Sequence, residues 1–373
     1  NIRVAQWEFD KDIVAGNRRR SNSINYIAPG PGHTGGVKPV HLSGLRSDGS
    51  AGVEWLFTDD GSGVVLITGL VGAQPTNVVT ATVVKRLPFG VTTASDASTH
   101  RWAPAAWTIT DGFPTAVCFF RERSVYARGQ TIWMSVAADF GNFATREGAQ
   151  VVADSAIIMT IASDKKDSIE WLQPEEQLVV GTASGEFAIA EYTNGQPLGP
   201  ANVRAQRQST NGSRALHPIT IGAAILYLQS GGRTVREAAF DIRQSKYQSV
   251  DVTAISEHIT KATGLTPSQR INDYEGILDW TFANRPDRII WCARADGQLL
   301  GFTYNREQDV IAWHRHKIGG VDADHWGQVE AVCSIGSPDG TKDDLWLVVK
   351  RGDARHVEYI GQWFHSSMTT STG

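Results

Sequence analysis

Sulfur, long apolar runs and excess charge are what this sequence lacks. Its 373 residues hold three cysteines and three methionines. Cys118, Cys292 and Cys333 are odd in number and far apart, each inside a strand-like apolar run (AVCFF, IIWCA, EAVCSI). That pattern reads as reduced thiols acting as small core residues in a protein that folds in a cytoplasm. There is no CxxC pair, which argues against a zinc ribbon or a redox motif. The longest uncharged apolar stretches, Val64–Val71 and Ile219–Leu228, fall far short of the ~18 residues a membrane span needs. Asn1–Gly16 mixes Arg3, Glu8, Asp10, Lys11 and Asp12 with its apolar residues and does not read as a secretory signal. A formal net charge of −4 gives no broad basic field for duplex nucleic acid, which binds largely through phosphate neutralisation. The dense basic run Arg18-Arg19-Arg20 sits among Gly, Asn and Ser and reads as a solvated or interface loop, with a contact to nucleic acid or an acidic partner as the alternative.

Glycine, with 37 residues, and tryptophan, with 12, are plentiful. Hydrophobic residues make up 41% and charged residues 20%, the balance of a globular chain. Strand-like runs recur between Gly, Asp and Asn turns, and almost no segment carries a 3.6-residue apolar repeat. The exception is Val252–Ala262, whose apolar residues at 252, 255 and 259 fit one helical face. Comparison of the chain with itself reveals a unit that begins at Pro114, Ile169, Ile219, Ile277 and Val329. Each copy has an apolar strand, a polar gap, a very apolar second strand, a glycine-bearing turn and a third strand. The turn glycines are Gly129, Gly185, Gly232, Gly297 and Gly352, the residue type that tight hairpins require. The second strands lose polar alternation, as they must when packed between sheets on both faces. Spacings of roughly 45–65 residues suit four-stranded propeller blades with loops. The expected fold class is therefore all-β: a β-propeller with five visible blades over 106–373, six or seven when completed from outside the chain. A small Gly-rich β domain, barrel- or sandwich-like, with its connector is expected over 1–105.

The segment Phe57–Phe143 carries a more specific pattern. A Gly-aromatic-Pro turn, Gly112-Phe113-Pro114, opens the first blade strand, and an Arg-containing stretch, Arg121–Arg123, follows. Trp133-Met134-Ser135 then leads to Asp139-Phe140-Gly141-Asn142-Phe143. Together with LVVGTASGEFAI (178–189), VREAAFDIRQSKYQSVDVT (235–253) and the stretch 296–320 that contains Trp313, this ordered succession resembles the tail nozzle (tail tubular, or hub) proteins of short-tailed phages and prophages. The earlier PGHTGGVKPVHLSGLRSDGSAGVEW resembles a small accessory module common in phage structural proteins. The resemblance covers most of residues 30–350. It implies a β-propeller virion protein that oligomerises as a ring, typically a hexamer, beneath the portal and adaptor. Its partners would be further copies of itself, the adaptor or head-to-tail connector, tail tip or fibre proteins, and viral DNA passing through the lumen without sequence-specific binding. It would be assembled in the host cytoplasm and reside in the virion tail. Family members usually extend further at both ends, so the chain is expected to be the central part of a longer protein. Gly112, Phe113, Pro114, Trp133, Asp139, Phe140, Asn142, Phe143 and Trp313 would then be packing residues, with no catalytic group and no cofactor.

His314 and His316, two apart on a strand, share a face and could approach one metal ion. Asp322, Asp324 and His325 follow, but Arg315 and Lys317 add positive charge, and a structural or interface role is the expectation over a divalent-ion site. Asp59–Gly63 lacks the alternating oxygens and closing glutamate of a calcium loop. Asp48-Gly49-Ser50-Ala51-Gly52 before Trp55 approaches the Asp-box of sialidase-type propellers without its spacing and reads as a hairpin turn. Glu175-Glu176 reads as solvated loop. No GxSxG or GxxxxGK[ST] occurs. Of Trp133, Trp171, Trp280, Trp291, Trp313 and Trp346, most are expected to pack between blades, with sugar stacking open to exposed ones. Two other readings stay open: a carbohydrate-binding or carbohydrate-cleaving propeller of a phage tail or bacterial surface, and a cytoplasmic propeller scaffold.

Overall fold

A computed structural model describes residues 5–15, 17–21, 24–40, 45–49, 52–59, 64–71, 78–85, 106–109, 111–145, 150–162, 167–193, 195–262, 276–308, 310–320 and 326–360. The chain divides into two units, 1–106 with 147–150 and 107–146 with 151–373.

The first unit contains β1 (Ala5–Gln6), β2 (Asp12–Ile13), β3 (Arg18–Ser21), β4 (Ile24–Ile27), β5 (Gly32–His33), β6 (Leu45–Ser47), β7 (Glu54–Asp59), β8 (Val64–Val71) and β9 (Val78–Lys85). One five-stranded sheet has the order β1-β3-β4-β7-β6, while β2–β5 and β8–β9 form separate pairs. The arginine run is therefore a strand and not a loop: Arg18–Ser21 pairs with β4, and its Arg19 and Arg20 pair with β1. Backbone pairing on both sides holds it there despite its charge. Trp7, Ile13, Tyr26, Ala28, Val53 and Trp55 form the core. The near-Asp-box is more than a turn. Asp48 is fully buried, and its Oδ2 accepts the indole N–H of Trp7 at 3.0 Å and of Trp55 at 2.9 Å.

The second unit is all-β and propeller-like. Sheet I comprises β10 (Ala116–Phe120), β11 (Arg123–Arg128), β12 (Thr131–Met134) and β13 (Ile157–Thr160). Sheet II comprises β14 (Ile169–Pro174), β15 (Leu178–Thr182), β16 (Gly185–Ala190) and β17 (Arg204–Ser209). Sheet III comprises β18 (Ile219–Ile221), β19 (Ala224–Leu228), β20 (Val235–Asp241) and β21 (Lys246–Asp251). Sheet IV comprises β22 (Ile277–Ala283), β23 (Ile289–Arg294), β24 (Leu299–Asn305) and β25 (Val310–His316). Sheet V comprises β26 (Gln328–Gly336), β27 (Asp343–Arg351) and β28 (Ala354–Ile360). Every neighbour pair is antiparallel and consecutive in sequence. The five repeated units of the sequence are thus five sheets, and sheets I–IV each add a fourth strand that the repeat did not show.

Sheet-to-sheet packing joins these sheets in order. Cys118 and Phe120 of sheet I meet Leu178 and Phe187 of sheet II in one core. Trp171 and Val179 of sheet II pack with Ile225 and Tyr227 of sheet III. Leu226 and Val235 of sheet III pack with Ile290 and Phe302 of sheet IV, and Trp291 and Leu299 of sheet IV with Leu345 and Leu347 of sheet V. Being sandwiched explains why all five residues of β15 and of β19 are buried. First strands of successive sheets crowd together: the Val332 N–H donates to Asp279 Oδ2 at 2.9 Å and the Ser334 N–H to Thr281 Oγ1 at 3.0 Å. That places β22 and β26 at the inner edge of their sheets.

Several expectations need correction. Only Glu257–Thr260 of the expected helix is helical, and Ile255, assigned to its apolar face, is 95% exposed. The Val252 and Ile259 side chains pack on the core without a continuous helix to carry them. Gly129, Gly232, Gly297 and Gly352 take the left-handed φ that their hairpins demand, but Gly185 does not. A Cβ at Gly185 would stand 2.7 Å from the Ser209 carbonyl oxygen, so close strand approach explains that glycine. Cys292 is buried and Cys118 half-buried, but Cys333 is exposed on the outer face of sheet V and is no core residue. Trp171, Trp280, Trp291 and Trp313 pack between sheets as expected. Trp133 and Trp346 instead lie on the outward faces of the first and last sheets, where there is no neighbouring sheet among the described residues.

Candidate functional site

The motif residues of 112–143 gather on sheet I. Gly112 closes a turn through its N–H to the Thr108 carbonyl at 2.7 Å and has φ +89°, a value that favours glycine. Its own carbonyl accepts from Arg128 Nη1 at 2.9 Å. Pro114 follows, and Phe113 is 60% exposed. Asp139 and Asn142 fasten the next turn: Asn142 Nδ2 donates to Asp139 Oδ2 at 3.1 Å, and the Asn142 carbonyl accepts from the Val136 N–H at 2.8 Å. Trp133 and Phe143 meet edge-on around Trp107, with ring centres 5.6 and 6.0 Å from it. Phe140 sits edge-on to Phe119 at 5.2 Å. Trp313, far along the chain, stacks flat on Phe302 at 4.2 Å in sheet IV. Gly112, Trp133, Asp139, Phe140, Asn142, Phe143 and Trp313 each touch a neighbouring residue of their sheet or turn, whereas Phe113 stands exposed.

Arg123 lies inside that region, 1% exposed. Its Nη1 donates to the carbonyls of Ser135 at 2.6 Å, Ser155 at 2.8 Å and Asp154 at 3.2 Å. Its Nη2 donates to Ala153 at 3.2 Å and to Leu198 at 3.1 Å. Burial pulls its pKa down, partly opposed by Asp154. A guanidinium stays protonated regardless. It therefore ties sheet I to the loop between the third and fourth strands of sheet II, β16 and β17.

A cleft of about 1030 Å³ opens beside Arg123, across the turns of sheets I, II and III. Arg121 and Glu122, with φ +48° and +58°, form the two-residue turn between β10 and β11. Positive φ at both central positions is the geometry that matches strand twist. Arg121 donates through Nη2 to the Glu176 carbonyl at 3.0 Å and lies 3.6 Å from the Glu191 carboxylate through Nε. Glu175 is not the solvated residue expected; its Oε1 accepts from Thr220 Oγ1 at 2.9 Å and from Gln173 Nε2 at 3.2 Å. Tyr247, edge-on to Phe240 at 5.3 Å, has its phenol pushed up to about 12 by burial and then by the charges of Glu175 and Glu176. The described lining has carboxylates, guanidinium groups and an aromatic wall but no histidine or cysteine. Such a lining can hold hydroxyl-rich or mixed-charge ligands; nothing in it pairs a nucleophile with a histidine base.

The structure brings His314 and His316 together. Their Nδ1 and Nε2 atoms are 2.6 Å apart, and Thr303 Oγ1 lies 3.3 Å from His314 Nε2. A Cβ at Gly301 would overlap the His314 ring, so that glycine makes the room. Burial lowers both pKa values, and His314 lowers His316 further, which favours neutral rings. Asp322, Asp324 and His325 lie outside the described residues, as do residues 60–63 of the suspected calcium loop. Among the described residues, no group of three or more His, Cys, Asp or Glu is placed to hold a metal ion. Gly30–Gly35 (GPGHTG) has the spacing of a dinucleotide fingerprint, but Gly32–His33 is a strand paired with β2, not the start of a helix. Sequence reasoning missed Glu186, a buried carboxylate that accepts from Ser209 and, at 2.8 Å, from Ser213. Burial raises its pKa against the pull of these hydroxyls and of Arg236. Its place in GEFAIA gives no sign of burial, because a single glutamate in a strand normally marks the solvent face.

No described helix is long and apolar enough to cross a membrane. No protein-family profile matches the chain, and no curated protein matches it in sequence. Among solved structures, it is similar to an auxiliary nutrient binding protein from Bacteroides thetaiotaomicron at 7% identity and TM-score 0.33, over 66% of this chain and 57% of that one. A luciferin-regenerating enzyme is similar at 13% identity and TM-score 0.31, over 64% of this chain and 73% of that one. PorZ, a bacterial surface component of the type-IX secretion system of Porphyromonas gingivalis, is similar at 12% identity and TM-score 0.31, over 97% of this chain and 39% of that one. The chain thus spans little more than half of the first of these proteins. Likenesses at this level assign it no activity, ligand or partner.

Proposed function

We propose that this chain is a virion structural protein, a subunit of a ring-shaped tail nozzle through which a short-tailed phage ejects its genome. The supporting observation is the ordered motif succession from 112 to 143, together with what its residues do. Gly112, Arg123, Asp139 and Asn142 fasten turns and carbonyls of sheet I. Those are the roles of an architectural protein. A net charge of −4 is compatible with a conduit that repels phosphate and lets DNA slide. Antibody labelling of phage particles tests the proposal. Label at the end of the short tail, below the connector, is expected; particles that lack the chain would refute it.

The cleft between sheets I, II and III favours a second reading, a carbohydrate-binding propeller. Its Arg121, Glu175 and Glu191 can hydrogen-bond vicinal hydroxyls, and Phe240 and Tyr247 offer an aromatic wall. A glycan array distinguishes the two: specific binding lost in Glu191→Gln supports the second reading, and a blank array removes it.

A further inference from the structure

Beside the larger cleft lies a second cavity, of about 200 Å³, between sheets III and IV. Ala223, in the turn between β18 and β19, lines both. Ile221 lines the smaller one from sheet III, and Arg288, Tyr304, Arg306 and Glu307 from sheet IV and its turns. Two of these side chains carry unsatisfied polar atoms. Tyr304 is 1% exposed and its hydroxyl has no hydrogen-bond partner; Nε of Arg288 is likewise buried and unpartnered. Native proteins pair the great majority of their buried polar groups, so two orphans around one cavity point to a missing occupant. A single water does not account for them, because the cavity exceeds the ~30 Å³ share of one water severalfold.

The charges around the cavity select the occupant. Arg306 Nη1 is 3.0 Å from Glu237 Oε1, so those two groups compensate each other. Glu307 is exposed to solvent, which leaves the Arg288 guanidinium as the uncompensated charge. Burial, then the neighbouring Glu237 carboxylate, raises the Tyr304 pKa against the pull of Arg306, so the phenol stays protonated and can donate. Two donors at one cavity suit a carboxylate, whereas Glu237 and Glu307 oppose a dianion such as phosphate. Tyr304 sits on β24, which is paired on both sides, so an extended peptide finds no open backbone ladder beside it. We propose that this cavity is a subsite for a sugar carboxylate: a hexuronate whose carboxylate accepts from Arg288 Nε and the Tyr304 hydroxyl while its ring fills the space beside Ile221. Longer acidic oligosaccharides run past Ala223 into the cleft, where Arg204 Nε is also buried without a partner. The subsite stands on its own orphaned groups; only that continuation rests on the carbohydrate reading of the cleft.

Saturation-transfer NMR on the full chain tests this, with sodium galacturonate as the probe. Galactose, inorganic phosphate and N-acetylglycine serve as competitors that isolate the ring, the charge and a peptide terminus. Galacturonate should bind, and none of the three should displace it at equal concentration. Tyr304→Phe and Arg288→Gln should each weaken binding about tenfold or more, the usual effect of deleting a hydrogen bond to a charged group. Because Tyr304→Phe removes only an unpartnered hydroxyl, its thermal midpoint should stay at or above that of the wild type, which a structural role for the hydroxyl would not allow. Absence of galacturonate binding, equal displacement by any competitor, binding untouched in both variants, or a lowered midpoint in Tyr304→Phe overturns the inference. A galacturonate oligomer tests the cleft separately. Monomer binding at the subsite with no gain from added sugars sinks the carbohydrate reading of the cleft and leaves the subsite standing. Oligomer binding that is lost in Glu191→Gln but indifferent to Tyr304→Phe and Arg288→Gln does the reverse.

Discussion

Removal of the Arg123 guanidinium tests how the first two sheets are held. Five carbonyls share its N–H groups, and the bonds to Ser135, Ser155 and Leu198 are wholly buried. Arg123→Met keeps the stem and deletes every donor. Each of three buried carbonyls left without a donor costs about 1–3 kcal/mol. Relief from burying a cation offsets part of that sum, and broken buried charged networks typically lose about 3–5 kcal/mol. Thermal unfolding followed by circular dichroism should show the midpoint falling by roughly 6–20 °C, at about 2–4 °C per kcal/mol for a domain of this size. Hydrogen exchange should quicken at residues 153–155 and 198, at the far ends of these bonds. Arg123→Lys retains the charge with fewer donors and should fall between the two. A methionine variant within about 0.5 kcal/mol of wild type would refute the claim that this side chain clamps the loop from sheet II, since that is the scatter of ordinary surface substitutions.

Three further outcomes are expected. Burial raises the Glu186 pKa above 4.5, so its contribution to stability is full below that value and is lost as pH rises through the folded-state pKa. Glu186→Gln should therefore match or exceed wild type in urea unfolding at pH 7, with any advantage gone near pH 4; a loss above about 2 kcal/mol at pH 7 would mean that Arg236 needs the charge. His314 and His316 are shifted the other way, below 6.5, so the unfolded chain takes up protons more readily than the folded one. Stability should be full above pH 6.5 and fall as pH drops, and the double variant to Asn should flatten that slope; an unchanged slope would locate the acid sensitivity elsewhere. Thiol titration of dilute native protein should find Cys333 fast, with Cys118, whose thiol burial pushes up to about 12, and buried Cys292 slow. A fast Cys292 would contradict the packing of sheets III and IV.

The hairpins were legible because a tight turn puts its demand on one residue: Gly129 and Gly297 stand where a left-handed backbone is required. Second strands were legible because burial on both faces removes polar residues from a run such as AILYL. The tryptophans were half legible. Trp171 and Trp133 look alike in sequence, yet one lies between two sheets and the other on an end face, and strand periodicity holds no record of which sheet comes first. Arg123 was hidden because its partners are carbonyls up to 75 residues away, which no side-chain pattern reports. The cleft was hidden for the same reason: turns from three separate sheets build it. Arg18–Ser21 misled because charge suggests a loop, while its backbone pairing decides the strand.

Electron-microscope class averages of the purified full chain test the central claim most directly. The nozzle account predicts rings of several copies, six-fold in projection, with an open axial channel. Monomers at every concentration, with glycan binding at the cleft, would contradict it.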